Sequence, residues 1–476
     1  MGLIELISSV EATGHPSGCR CRSRLRWLIV TSALVLCSCG TKTPEDRAAT
    51  GVPTAVPKGV VAVKIEKTAR GFRLLRGGQP YFLRGGGGLQ QYGQLRAAGG
   101  NTVRLWSTNY AAPLLAEAQR QQLTVMLGLW VQPEDESFSY YDHAAVQAQL
   151  DRLRAQVLRY RHHPALLMWN VGNEIEDSTT GPRLFEAINE IARMIHELDP
   201  YHPVTISLGD VAGQASNLQR QAPEVDILSV NIYGALYNLP ATLKKSGWIG
   251  PYIVTEYGSR GYWEVYKDYT PWKAAREQTS TVKAQFMSVR YRRVIQTDTN
   301  RCLGSYIFFW GTKFEYTPTW FSLFAPTGEK TETVDELYQL WRGHYPANRA
   351  PQLLELRVAG HVDTDNVQLR AGEEYTAVVR AADPERDSLA TQWEILPDIP
   401  VTTRGKELET PPEPVLGSIL RTGRWQATVR APANPGAYRL YVRVFDGHGS
   451  MATANIPLLV TTAPVGARYS GATTND

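Results

Sequence analysis

The chain of 476 residues has little of what would tie it to metal, nucleic acid or a membrane-spanning fold. It has only five cysteines, and four of them (Cys19, Cys21, Cys37 and Cys39) fall in the first 39 residues. That distribution excludes a disulfide framework for the remainder. Cys302 stands alone at the start of an apolar run and reads as a buried thiol. The net charge is +4, too weak for this length to argue for nucleic acid. No apolar run is long enough for a transmembrane helix. His162 and His163 precede a strand, and no zinc or calcium spacing appears elsewhere, so neither a metal nor any other cofactor is expected.

The chain does carry aromatics. Twelve Trp and 23 Tyr are generous. Such rings pack on the apolar faces of sugars, although most must serve ordinary core and rim packing. The N-terminus reads as an address. Arg20, Arg22, Arg24 and Arg26 form a basic stretch, and Trp27 to Leu36 is a short apolar run. Together they fit a signal peptide. Leu36-Cys37-Ser38-Cys39 resembles a bacterial lipobox with Cys39 as the lipidated residue. A plain secretory signal or an uncleaved anchor are the alternatives. Gly40 after that cysteine resembles signals that sort to the outer membrane. The expected organisation is a signal and lipobox over 1–39, a Thr/Pro/Ala-rich tether over 40–57, a first domain over 58–346, a second over 350–462, and a disordered tail over 463–476.

The first domain alternates strands and helices. A hairpin from Val60 leads to strand one at Tyr81–Gly85, with glycines 85–88 read as a tight loop after it. Thr102–Trp106, Leu123–Trp130, Ala165–Val171, Pro203–Ser207, Val225–Ile232, Tyr252–Thr255 and Leu303–Phe309 supply seven more strands. Helical patterns separate most of them; the fifth and sixth are weak. Eight strands with helices between them predict a (β/α)8 barrel. After the Pro-rich stretch 346–351, short alternating runs separated by turns predict an all-β, immunoglobulin-like sandwich. The two domains are expected to fold independently.

Two strands end in carboxylates. His163-Pro164-Ala165-Leu166-Leu167-Met168-Trp169-Asn170-Val171-Gly172-Asn173-Glu174 is a turn, a buried strand and then Glu174. Pro251-Tyr252-Ile253-Val254-Thr255-Glu256-Tyr257-Gly258 ends likewise in Glu256. Barrel enzymes place their chemistry at such strand ends. A carboxylate pair is the minimum kit for cleaving a glycosidic bond. The bland alternative is that Glu174 caps the following helix.

Five ordered segments resemble the catalytic domain of family 2 glycoside hydrolases over roughly residues 60–345. They are Gly71-Phe72-Arg73-Leu74 with Gln79 to Gly85, Asn101-Thr102-Val103-Arg104, His163 to Glu174, Thr255-Glu256-Tyr257-Gly258, and Trp310-Gly311 with Thr319-Trp320-Phe321. The resemblance implies a retaining β-glycosidase acting on a β-linked oligo- or polysaccharide. Glu174 would be its acid/base and Glu256 its nucleophile, with carboxyls about 5–5.5 Å apart. It also implies that Asn173 binds the sugar 2-hydroxyl, that Arg104 and Tyr233 hold Glu256, and that Trp310 floors the subsite of the cleaved sugar. Trp130 and Trp106 are open between subsite and core. The chain departs from the family in lacking sandwich domains before the barrel, and in having Ser107-Thr108-Asn109 where a histidine is usual. A transglycosylase on an envelope glycan, or a non-catalytic glycan-binding protein, are the rival readings.

Overall fold

The computed structural model describes residues 56–135, 137–175, 181–399 and 411–462. The signal, the lipobox with Cys39, nearly all of the tether, and the tail lie outside the described residues.

The first three strands, β1 (Val63–Thr68), β2 (Gly71–Arg76) and the short β3 (Gln79–Pro80), form an antiparallel sheet with Val63 opposite Arg76. Its apolar residues Val63 and Leu74 share a cluster with Leu83, Ile227, Ile253 and Leu303, which are the first or second residues of four barrel strands. The sheet therefore closes the N-terminal end of the barrel and leaves the other end for chemistry.

Eight parallel strands close into that barrel: β4 (Leu83–Gly87), β5 (Thr102–Leu105), β6 (Thr124–Leu129), β7 (Leu166–Asn173), β8 (Val204–Leu208), β9 (Ile227–Asn231), β10 (Tyr252–Tyr257) and β11 (Cys302–Ile307). They are buried on both faces, as the continuous apolar runs require. Strand one starts later than expected, and Gly85, Gly86 and Gly87 lie inside it rather than in a loop. The reason is space. A Cβ at Gly85 would lie 2.2 Å from the Tyr306 ring, and one at Gly86 would lie 2.8 Å from Trp310. The glycines let β11 bring large rings across the barrel.

Helices cover the outside: α1 (Tyr92–Ala97), α2 (Ala111–Arg120), α3 (His143–Tyr160), α4 (Pro182–Leu198), α5 (Val211–Gln221), α6 (Leu239–Lys245), α7 (Ser280–Arg290) and α8 (Glu332–Arg342). The two weak helical patterns are real helices, α5 and α6. Helix α3 shows why these segments start where they do. Asp142 caps it by accepting from the amides of Ala144 and Ala145, and Leu150, Leu153 and Val157 face the core. Among the described residues, no helix is long and apolar enough to cross a membrane.

The C-terminal region comprises β12 (Gln352–Val358), β13 (Gln368–Arg370), β14 (Glu374–Ala382), β15 (Ala390–Pro397), β16 (Ile419–Thr422), β17 (Gln426–Arg430), β18 (Gly436–Phe445) and β19 (Met451–Thr461). They form two four-stranded sheets, ordered β12-β14-β17-β16 and β13-β19-β18-β15. Residues of both sheets, among them Leu353, Val379 and Val429 with Trp393, Val442 and Ile456, share one apolar core. The sheets therefore pack face to face, as the alternating runs predict.

The two regions share a buried polar seam, which the expectation of independent folding did not include. Arg439 of β18 donates to the Ala275 carbonyl at 2.9 Å, and Asn455 of β19 donates to Glu277 at 2.6 Å. The Thr453 amide bonds to Ser280 Oγ and the Leu353 amide to Thr281 Oγ1, both at 2.9 Å. Separating the regions would break these bonds and open the buried groups to water.

Candidate active site

Each residue of the site comes from the C-terminal end of a barrel strand or the loop just after it. Arg104 lies on β5, Asn173 ends β7, Asn231 ends β9 and Glu256 lies on β10. Strand geometry alone brings them to one face.

Glu256 is buried and held by three donors. Arg104 Nη1 reaches its Oε1 at 2.5 Å, and Trp106 Nε1 reaches the same oxygen at 2.9 Å. The Tyr233 hydroxyl donates to Oε2 at 2.7 Å. Burial first, and Glu256 beside it second, push the Tyr233 phenol well above its ordinary range. The phenol therefore stays protonated and remains a donor. Arg104 is itself fully buried. Its guanidinium also reaches the Thr255 carbonyl at 3.1 Å, Ser207 Oγ at 3.1 Å and Asn173 Oδ1 at 2.5 Å, and it lies 5.0 Å from the Trp106 ring centroid. A guanidinium with this many fixed partners cannot swing away from the carboxylate.

Glu174 sits differently. It is exposed, and its backbone is left-handed, with φ 48°, two residues after Gly172 at φ 79°. Its amide bonds to the Ser207 carbonyl at 2.9 Å, which fixes this unfavourable turn. Asn231 Nδ2 donates to Glu174 Oε1 at 2.7 Å and to Asn173 Oδ1 at 3.0 Å. Thr255 in turn donates to Asn231 Oδ1 at 2.9 Å and so sets which end of that amide faces the acid. A Cβ at Gly209 would lie 3.3 Å from the Glu174 carboxyl carbon, so glycine follows β8 where the Glu174 side chain passes. Glu174 does not cap the next helix. Helix α4 begins at Pro182 after Gly181 and has no side-chain cap.

The Asn173 side-chain oxygen is fixed by Arg104 and Asn231. Its Nδ2 is left as the group that can donate to a ligand. Arg104, Asn173 and Asn231 thus link both carboxyl groups in one hydrogen-bonded network.

One expectation about the aromatic residues is corrected and two open ones are decided. Trp310 does not floor the site. It is 1% exposed, donates to the Gln91 carbonyl at 3.0 Å and packs edge-on against Phe324. The ring beside Glu256's partners is Phe308, with centroids 5.9 Å from both Trp106 and Tyr233. The Phe308 amide bonds to the Tyr257 carbonyl on β10, while the Trp310 amide bonds to the Gly87 carbonyl on β4. The chain crosses from one barrel strand to another within two residues, and Trp310 follows the wrong one. Trp106, left open between subsite and core, is a ligand of the carboxylate. Trp130 is 47% exposed on the loop after β6 and is not core.

Asn231, Ser207 and Thr255 escaped the sequence reading because a short polar residue in a buried strand looks like any other. The signal available was their position at consecutive strand ends. Cys302 is buried as expected, and burial pushes its thiol up to about 12. Among the described residues, Asp383, Asp387 and Asp446 of the C-terminal sheets bring carboxylate oxygens within 4.8 Å of one another, away from this site.

Residues 109–312 match the family described as glycosyl hydrolases family 2, TIM barrel domain. A β-glucuronidase of Paenibacillus borealis is 26% identical over 239 residues, which is 42% of this chain and 38% of that protein. A β-glucuronidase of Rattus norvegicus is 24% identical over 238 residues, 43% of this chain and 34% of that protein. This chain therefore spans well under half the length of these curated relatives. The solved structure of a β-galacturonidase from Eisenbergiella tayi bound to galacturonate is 15% identical, covers 60% of this chain and 55% of that one, and has a TM-score of 0.48. Most of the barrel that carries Glu174 and Glu256 is thus similar to the TIM barrel domain of glycosyl hydrolases family 2.

Proposed function

We propose that the chain is a retaining glycoside hydrolase that cleaves β-glycosidic bonds by double displacement. The observation that carries this reading is the contrast between the carboxyl groups. Glu256 is buried and held by Arg104, Trp106 and Tyr233, whereas Glu174 is exposed and is linked to it through Asn231, Asn173 and Arg104. A nucleophile must be held on one trajectory, while an acid/base must exchange protons with water.

In the first step Glu256 forms a bond to the anomeric carbon. The bond to the glycosidic oxygen breaks, and that oxygen takes the Glu174 proton. In the second step Glu174 takes a proton from water as the water oxygen attacks the anomeric carbon, and Glu256 departs as carboxylate. Asn173 Nδ2 donates to the sugar 2-hydroxyl, a contact that tightens as positive charge develops on the sugar. Phe308 lies beside the reacting ring. The curated relatives are named for glucuronides. Lys313, whose ammonium lies 5.8 Å from the Phe308 ring centroid, is paired with Glu315, so a uronate specificity is not part of the proposal.

Replacing Glu174 with Ala should slow cleavage of natural glycosides by about 10²–10⁴-fold. Activated aryl glycosides, whose leaving group departs unaided, should still form the glycosyl-enzyme. Added azide should then restore turnover with retained configuration. An inverted azide product would reverse the two roles. We also propose attachment to the cell envelope through a lipid on Cys39, supported by the basic and apolar stretches before it. Mass spectrometry of the mature N-terminus tests this, and an unmodified chain starting elsewhere would refute it.

A further inference from the structure

Seven large aromatic side chains are exposed among the described residues, and five of them lie on loops that leave the C-terminal ends of barrel strands. They fall in two groups. Tyr110 follows β5, and Trp130 and Tyr141 follow β6; Trp263 and Tyr266 follow β10. In the closed strand order, β6 and β10 are four places apart in a ring of eight, so they face each other across the mouth.

The loop backbone is fixed on one side and the ring itself on the other. The carbonyl of Trp130 accepts from Arg152 at 3.0 Å, and the next loop residues are tied down where the Gln132 amide bonds to buried Gln149 at 2.8 Å. On the far side, Glu264 accepts from the amides of Gly234 and Gly261, both at 2.8 Å, and thereby pins the loop after β10 to the loop after β9. Trp263 then packs edge-on to Tyr233 at 5.3 Å. A Cβ at Gly261 would lie 2.4 Å from the indole, so this position has no room for a side chain. Trp263 is nonetheless 44% exposed. An aromatic ring held rigidly with one face in water is a preorganised surface for an apolar ligand face. An isolated exposed ring needs no explanation, but five at one end of a barrel, on opposite sides of its carboxyl pair, form a pattern.

The carboxyl groups orient the two sides. Glu174 must touch the departing oxygen, so the leaving sugar lies toward β7 and its neighbour β6, where Trp130 stands. The Val131 Cβ comes within 3.4 Å of a Cβ placed on Gly172, two residues before Glu174. Trp263, beside Tyr233 and thus beside Glu256, lies on the side of the sugar that is retained. We propose that the mouth binds a glycan chain across the scissile bond, with Trp130 and Trp263 stacking sugars on its two sides, and that the enzyme cuts within chains rather than only at their ends. This rests on the hydrolase reading and goes beyond it to the length of the substrate.

The test uses the full chain with Glu256→Gln, which binds without turnover. It is titrated calorimetrically with β-1,3- and β-1,4-linked glucose, mannose and xylose oligosaccharides of one to six sugars. In at least one series the affinity should rise about tenfold or more between the disaccharide and the pentasaccharide. Adding Trp130→Ala or Trp263→Ala should flatten that rise. With the unaltered enzyme, the same series should release internal fragments before monosaccharide accumulates. The inference fails if no series shows a rise with length, if neither replacement affects the rise, or if single sugars are released from one end only. Whether the protein is a hydrolase is judged separately, by hydrolysis of aryl β-glycosides and its loss in Glu256→Gln.

Discussion

Arg104 at the barrel mouth and Arg439 at the seam with the C-terminal sheets are both fully buried, and each meets an asparagine and a carboxylate. Arg439 reaches Asp398 at 3.0 Å, Asn455 Oδ1 at 2.7 Å and the Tyr316 hydroxyl at 3.2 Å. Asn455 passes the network on to Glu277, which also accepts from Thr317 at 2.6 Å and is paired with buried Lys283 at 2.5 Å. The seam thus sets two cations against two carboxylates, and protein groups take up the donors and acceptors between them. The mouth sets one guanidinium against two carboxyl groups, and one of those, Glu174, is open to water. A surplus acid group with access to solvent is what proton transfer needs; a balanced, sealed cluster is what a domain joint needs. The perturbed titration at the seam would attract attention first. Burial works to raise the Glu277 carboxyl, but Lys283, Thr317 and Arg439 outweigh it and hold it below the ordinary range. Perturbed acids mark structural joints as well as sites, and charge balance separates the two here.

The largest effect expected from breaking this comparison is catalytic. Glu256→Gln should abolish turnover by at least about 10⁴-fold on natural and activated substrates alike, because no covalent intermediate forms. Glu277→Gln should leave the kcat of the folded protein intact. Steady-state kinetics normalised to folded protein measures both, and a large kcat loss in Glu277→Gln would place the seam within the chemistry.

The next effect is on stability. Lys283→Met strands a buried charge and should cost about 3–5 kcal/mol, read from urea denaturation, while the pair Lys283→Met/Glu277→Leu should recover most of it. The same carboxylate gives the seam a pH dependence. Its folded pKa lies below the ordinary value of 4.5, so it binds its proton less readily when folded. Its contribution is complete above that value and is lost as pH falls through the folded pKa. The fall in melting temperature on acidification should therefore be shallower in Glu277→Gln than in the unaltered chain.

The smallest effect sharpens the mouth. Tyr233→Phe removes one donor from Glu256 but keeps the ring that packs on Trp263 and Phe308. The loss of one hydrogen bond to a charged group should lower kcat/KM roughly tenfold to hundredfold without changing the melting temperature. An equal loss of stability would make Tyr233 a packing residue.

Much of this was legible along the chain. The strands, most of the helices and both carboxylates follow from local pattern, since a buried parallel strand needs a continuous apolar run and a site residue follows directly at its end. Gly85 and Gly86 of β4 read locally as a loop because their cause lies in Tyr306 and Trp310, more than two hundred positions away. Trp310 was misplaced for a related reason. Tyr306, Phe308 and Trp310 alternate in sequence, and nothing local says that Phe308 leans on β10 while Trp310 leans on β4.

The sequence by itself determined that eight buried strands end at one face and that Glu174 and Glu256 are among the residues there; that Arg104, Asn173 and Tyr233 accompany them was implied by the family resemblance. Only the tertiary structure decided which carboxyl group is sealed and which meets water, that Trp106 and Asn231 are their partners, and that the seam with the C-terminal sheets is a buried ionic joint. These are properties of contacts between strands far apart in the chain. Burial, charge balance and hydrogen-bond direction exist only once those strands have met.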